Sequence, residues 1–147
     1  MANLVYNMRK RRLLRFVLLF AIALLAIILV RALLDQKPDL STLEGRQAYL
    51  EKLGWEIDPD SEEHKSVRVP ESLDGIIADY NELQLQQDFD LSKHLGEACE
   101  QYSYTVTNYP DPEQTVLITV YIQGKELIAG DVHSTALNGF MQGLKKP

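Results

Sequence analysis

The sequence predicts an α+β protein in two parts: an N-terminal transmembrane helix, then a small domain in which a three-strand antiparallel meander packs against one main helix plus a short N-terminal helix. Three observations predict it. Residues 16 to 30 (FVLLFAIALLAIILV) carry no polar side chain. Leu73, Ile76, Ile77, Tyr80 and Leu83 recur at helical spacing. Apolar residues alternate over Tyr102, Tyr104 and Val106 and again over Val116, Ile118, Val120 and Ile122, the period of a half-buried strand.

The apolar run reads as an uncleaved membrane anchor. Twelve of its residues are Leu, Ile, Val or Phe, so insertion gains roughly 4 to 7 kcal/mol. A helix over 13–34 would reach about 33 Å, enough for a hydrocarbon core of about 30 Å, with Arg15 and Arg31 near the interfaces. A cleaved signal peptide is the rival reading, with Val30-Arg31-Ala32 as its cleavage site. Against it, the apolar run reaches that site without a polar spacer and Leu33-Leu34 follow. Arg9, Lys10, Arg11, Arg12 and Arg15 crowd the N-terminal side, and the positive-inside rule places residues 1–12 in the cytoplasm as a basic tail. The rest of the chain is then expected outside the cell membrane.

Charge divides the same way. The chain carries fifteen Lys and Arg against twenty-one Asp and Glu. Six bases and no acid lie before Asp35, which leaves nine bases and a net charge of −12 beyond Leu34. So acidic a domain argues against nucleic acid as a partner. The lone Cys99 excludes an internal disulfide. No Asn-x-Ser/Thr acceptor occurs.

Residues 35–40 form a polar linker in which Pro38 stops the preceding helix. The exported domain, 41–147, opens on Ser41-Thr42-Leu43-Glu44, a capping box that starts a helix running to about Leu53. Trp55-Glu56-Ile57 and Val67-Arg68-Val69 read as two short strands, separated by a surface loop from Asp58 to Ser66. The main helix runs from about Pro70 to Gln87, its stripe covering the sheet. Asp88 to Gly96 is a loop. The meander comprises Tyr102 to Val106, Val116 to Ile122 and Glu126 to Val132, with a tight turn at Gly124. Leu137, Phe140, Met141 and Leu144 suit a short terminal helix.

Several strings within this pattern carry a family resemblance: Gly54-Trp55-Glu56-Ile57, Val67-Arg68-Val69-Pro70, Asp79-Tyr80-Asn81-Glu82-Leu83-Gln84, Asp88-Phe89-Asp90-Leu91-Ser92, Tyr102-Ser103-Tyr104-Thr105-Val106, Asn108-Tyr109-Pro110, Gly130-Asp131-Val132 and Ala136-Leu137-Asn138-Gly139-Phe140-Met141. Together they resemble a bacterial domain-of-unknown-function family of small single-pass membrane proteins from Gram-positive, clostridia-like organisms. The resemblance spans most of 41–144. It implies location and architecture and carries no catalytic residues. This chain departs from the family pattern at Asp88, where a glycine precedes the Phe-Asp-Leu string, and at His133, where a small or thiol residue is commoner.

Asp131, His133 and Ser134 are the most suggestive polar cluster, a candidate binding spot. Asp131 and His133 share a face if the strand continues. A triad would also require a nucleophile elbow and an oxyanion hole, and no Gly-x-Ser-x-Gly string is present. The plainer expectation puts Asp131 in a sheet-edge turn and has Ser134 cap the terminal helix. Asp58-x-Asp60-x-Glu62 lacks the glycine and final glutamate of a calcium loop. His64, His94 and His133 are too scattered for zinc. Cys99 reads as a buried small hydrophobe, and Tyr102 and Tyr104 as core, with Tyr109 and Tyr121 as strand-favouring residues. No metal or cofactor is expected. The expected function is binding or interaction at the outer membrane face, with another envelope or membrane protein as one possible partner. A cell-envelope hydrolase using Asp131, His133 and Ser134, and an accessory subunit acting through its membrane helix, are the alternatives.

Overall fold

The computed structural model describes residues 16–31 and 37–146. The chain divides into two compact units, Met1–Lys37 and Pro38–Pro147. In the first, residues 16–31 form helix α1 with every side chain exposed. At about 1.5 Å per residue α1 reaches roughly 24 Å. No helix among the described residues is long and apolar enough to cross a membrane. The ends of the expected 13–34 span lie outside the described residues, as do Arg9, Lys10, Arg11, Arg12 and Arg15.

The second unit is α+β. Helix α2 (Leu43–Lys52) precedes strand β1 (Ile57–Arg68) and helix α3 (Ile76–Leu85); a 3-10 turn (Leu91–Lys93) then leads into β2 (Ala98–Val106), β3 (Val116–Gln123), β4 (Glu126–Ser134) and β5 (Met141–Gln142). The strands form one antiparallel sheet in the order β1-β2-β3-β4-β5. The expected three-strand meander is its centre. One further strand pairs on each side.

The region expected to be a loop, Asp58 to Ser66, lies within β1. Its pairing with β2 shifts between Asp58 and Glu63. There Ser61 donates its hydroxyl to the Asp58 carbonyl at 2.6 Å and accepts from the Thr105 N–H at 2.8 Å. A bulged edge strand tolerates Pro59 and benefits from charges that discourage pairing with other chains. Polar composition therefore marked an edge rather than a loop. Nor is there a terminal helix: residues 137–144 form a turn, β5 and a closing segment. Leu137 is fully solvent-exposed while Leu144 is buried and accepts the Trp55 indole N–H at 2.6 Å.

α2 starts one residue later than the capping box predicted. Thr42 is the cap, its hydroxyl accepting from the Gly45 N–H at 3.1 Å, whereas Ser41 donates to Asp39 Oδ1 at 2.6 Å. The chain passes so close that a Cβ on Gly45 would lie 1.8 Å from the Asp39 carbonyl oxygen. α2 and Trp55, rather than α3, cover the main core. Leu50, Trp55, Leu40 and Leu144 pack on Tyr104, Ile118, Val120, Ile122 and Val132.

α3 begins at Ile76, with Gly75 as its N-cap, not near Pro70, and its stripe is only partly used: Ile76 is 83% exposed, and the buried residues of the helix are Asn81 and Gln84. The reason is the open backbone edge of β4, whose groups need partners. Gln84 Oε1 accepts from the Gly130 N–H at 2.9 Å, and Gln87 Nε2 donates to the Gly130 carbonyl at 3.0 Å. Gln87 Oε1 also accepts from the Leu144 N–H at 2.6 Å. Two glutamines thus stand in for a paired strand. The helix closes with a Schellman pattern, Phe89 N–H to Gln84 carbonyl at 3.1 Å and Asp88 N–H to Leu85 carbonyl at 3.2 Å. Asp88 takes φ +67°, the left-handed conformation that favours glycine.

Candidate binding groove

Strand alternation gives the sheet two unlike faces. One carries the core described above. The other presents Gln101 and Ser103 from β2, Thr119 and Tyr121 from β3, and Asp131 and His133 from β4. Ser103, Thr119 and Asp131 sit opposite one another across three strands. The Ser103 and Thr119 hydroxyls are hydrogen-bonded at 2.8 Å.

α3 lies beside this polar row. Tyr80 reaches across to donate its hydroxyl to Asp131 Oδ1 at 2.7 Å. The other carboxylate oxygen lies 2.7 Å from His133 Nδ1. A carboxylate offers only acceptors, so the hydrogen in that contact belongs to Nδ1, which makes Nε2 the acceptor whenever the ring carries a single hydrogen. Burial, then the Asp131 charge, pushes the Tyr80 hydroxyl far above the usual phenol range. It remains a donor. Burial followed by Asp131 raises Tyr121 as well.

Between helix and sheet runs a groove of about 550 Å³, lined by Ile76, Ile77, Asp79, Tyr80 and Leu83 from α3, Gln101, Thr119, Tyr121, Asp131 and His133 from the sheet, and Met141 from β5. Its volume suits a small ligand. A smaller apolar niche of about 100 Å³ shares Ile77, Tyr80 and Tyr121 with it and includes Cys99 and Leu91. The Tyr80 and Tyr121 rings meet edge to face at 6.2 Å.

Asp131 and His133 come together as expected from their spacing, but Asp131 lies within β4 and is 3% exposed, not in an edge turn. Ser134 does not join them. One residue further along the strand it belongs to the opposite face, and its hydroxyl accepts from the Ala136 N–H at 3.2 Å. The Asp-His-Ser arrangement of a hydrolase therefore does not assemble. Cys99 is buried as expected, and burial, then Glu100, raises its thiol above the usual range. Among the described residues no group of three His, Cys, Asp or Glu side chains is placed to hold a metal ion. Tyr80 was not legible as a partner of Asp131; its only sequence signal was membership of the α3 stripe.

A second polar network sits at the other face. Arg46 donates from Nε to the Tyr104 hydroxyl at 2.6 Å and from a terminal nitrogen to Glu62 at 2.8 Å, and Tyr104 donates to the same Glu62 oxygen. The guanidinium also lies 3.6 Å from the Tyr102 ring centre, with His64 stacked on that ring at 4.6 Å. Arg46 is 4% exposed and every side chain in the triad is engaged. This network fastens α2 to β1 and β2. No family model, curated protein or solved structure matches the chain.

Proposed function

We propose that the chain is a membrane-anchored protein whose C-terminal domain binds a ligand or partner outside the cell membrane without covalent chemistry. The groove beneath α3 carries this reading: it pairs exposed aliphatic side chains with a row of hydrogen-bonding groups, and the serine needed for acyl transfer lies on the other face. The apolar run from Phe16 to Val30 and the five bases ahead of it support the anchor and its orientation. Membership of the clostridia-like single-pass family is proposed on the same footing. The left-handed backbone at Asp88 supports it, because that position is the one at which the resembled family carries glycine.

Two measurements test the reading. In intact cells, a Ser66→Cys variant is expected to react with an impermeant thiol reagent, and reaction only after lysis would reverse the orientation. Native mass spectrometry of the full chain purified from cells that make it is expected to show a bound species that an Ile77→Trp variant, with its groove filled, has lost. The same spectrum from both proteins contradicts groove binding.

A further inference from the structure

Deepening the groove-binding reading, and resting on it, we propose that the occupant is a small organic cation: an ammonium group attached to an apolar body. The charge of the lining points there. Asp79 and Asp131 are its two carboxylates, His133 is its one basic side chain, and no lysine or arginine lines the groove. The nearest base in register, Lys65 opposite Gln101, is turned to Glu63 at 3.6 Å.

The groove also holds what an ammonium needs once it leaves water. Asp131 is nine-tenths buried, so its charge is weakly screened. Both of its oxygens already accept a hydrogen bond, one from Tyr80 and one from His133. Its contribution is therefore the field, while Nε2 of the singly protonated His133 ring receives the ammonium N–H. Tyr80 and Tyr121 line the groove with aromatic rings, whose π-systems attract cations. Ile76, 83% exposed, and Met141, 54% exposed, give the apolar body a place to shed water. A carboxylate-bearing ligand would meet two like charges here. A neutral one would gain nothing from the Asp131 field.

The test uses three probes of one length: hexylammonium, hexanol and hexanoate. Each is titrated into the full chain labelled at isoleucine and methionine methyls, with Ile76, Ile77 and Met141 as reporters. Hexylammonium is expected to bind at least about tenfold more tightly than hexanol, hexanoate more weakly still, and the preference to shrink with added salt. Asp131→Asn should remove most of the preference. Asp79→Asn, at an exposed position, should reduce it by about twofold and guards against a folding defect in the first variant. Equal affinity for hexylammonium and hexanol overturns the cation inference and leaves groove binding standing. No shift at the three reporters with any probe overturns the inference outright, whereas groove binding itself is judged by the bound species lost from Ile77→Trp.

Discussion

The two faces of the sheet are built to opposite ends. On the α2 side, Leu50 and Tyr104 are wholly buried, and the charges that enter, Arg46 and Glu62, are matched by hydrogen bonds. On the α3 side a smaller apolar cluster of Val69, Leu91, Cys99, Ile128 and Ala129 takes up Tyr80, polar contacts at Gln84, Gln87 and Tyr80 hold the rest, and Ile76 stands in solvent. A face that is sealed contributes stability. A face left ajar leaves apolar surface uncovered, and the proposed binding groove lies along it.

The comparison predicts a steep asymmetry in stability. Trp55→Ala, which removes a fully buried ring and its bond to the Leu144 carbonyl, should cost about 4 kcal/mol in denaturant unfolding, whereas Ile76→Ala should stay within about 0.5 kcal/mol. Comparable losses would mean that α3 is packed as tightly as α2. Arg46→Ala leaves Glu62 and the Tyr104 hydroxyl short of a partner and should cost about 3 kcal/mol by the same measurement.

Acid should act on the sealed face through Glu62. Burial pushes its carboxyl up, but the hydrogen bonds from Tyr104 and Arg46 outweigh that and hold it below the usual range. Its folded pKa is thus lower than its unfolded one, so the unfolded state takes up the proton first as pH falls. The contribution is complete above the unfolded value and fades from about pH 5 downward. Glu62→Gln should flatten the acid limb of stability against pH. An unchanged limb would remove Glu62 from the account.

The smallest effect has the opposite sign. Asp88→Gly relieves a left-handed residue at the end of α3 and should raise stability by about 0.5 to 1 kcal/mol. A loss there would show that the Asp88 side chain does something its backbone does not reveal.

Much of this architecture was legible because some residues answer to local rules. Tyr102 to Val106 and Val116 to Ile122 alternate so regularly that β2 and β3 follow from period alone, and the reversal at Gly124 adds β4. β1 was hidden because an edge strand facing solvent has no apolar period to show, and its Asp, Glu and Ser residues resemble a loop. The closing segment misled for another reason: Leu137, Phe140, Met141 and Leu144 have helical spacing, yet the chain turns so tightly that a Cβ on Gly139 would lie 2.7 Å from Ser134 Cβ. Gln84 and Gln87 could not be foreseen, since their partner is the backbone of a strand more than forty residues away. At the groove, the i, i+2 spacing revealed Asp131 with His133. The same rule, applied one residue further, sends Ser134 to the other side.

A water-soluble paramagnetic reagent added to the isoleucine-labelled full chain separates the sealed face from the open one. Strong broadening of the Ile76 methyl is expected, with sharp signals from Ile118 and Ile122, which are at most 2% exposed. Equal broadening of all three, or protection of Ile76 in the ligand-free protein, would contradict it.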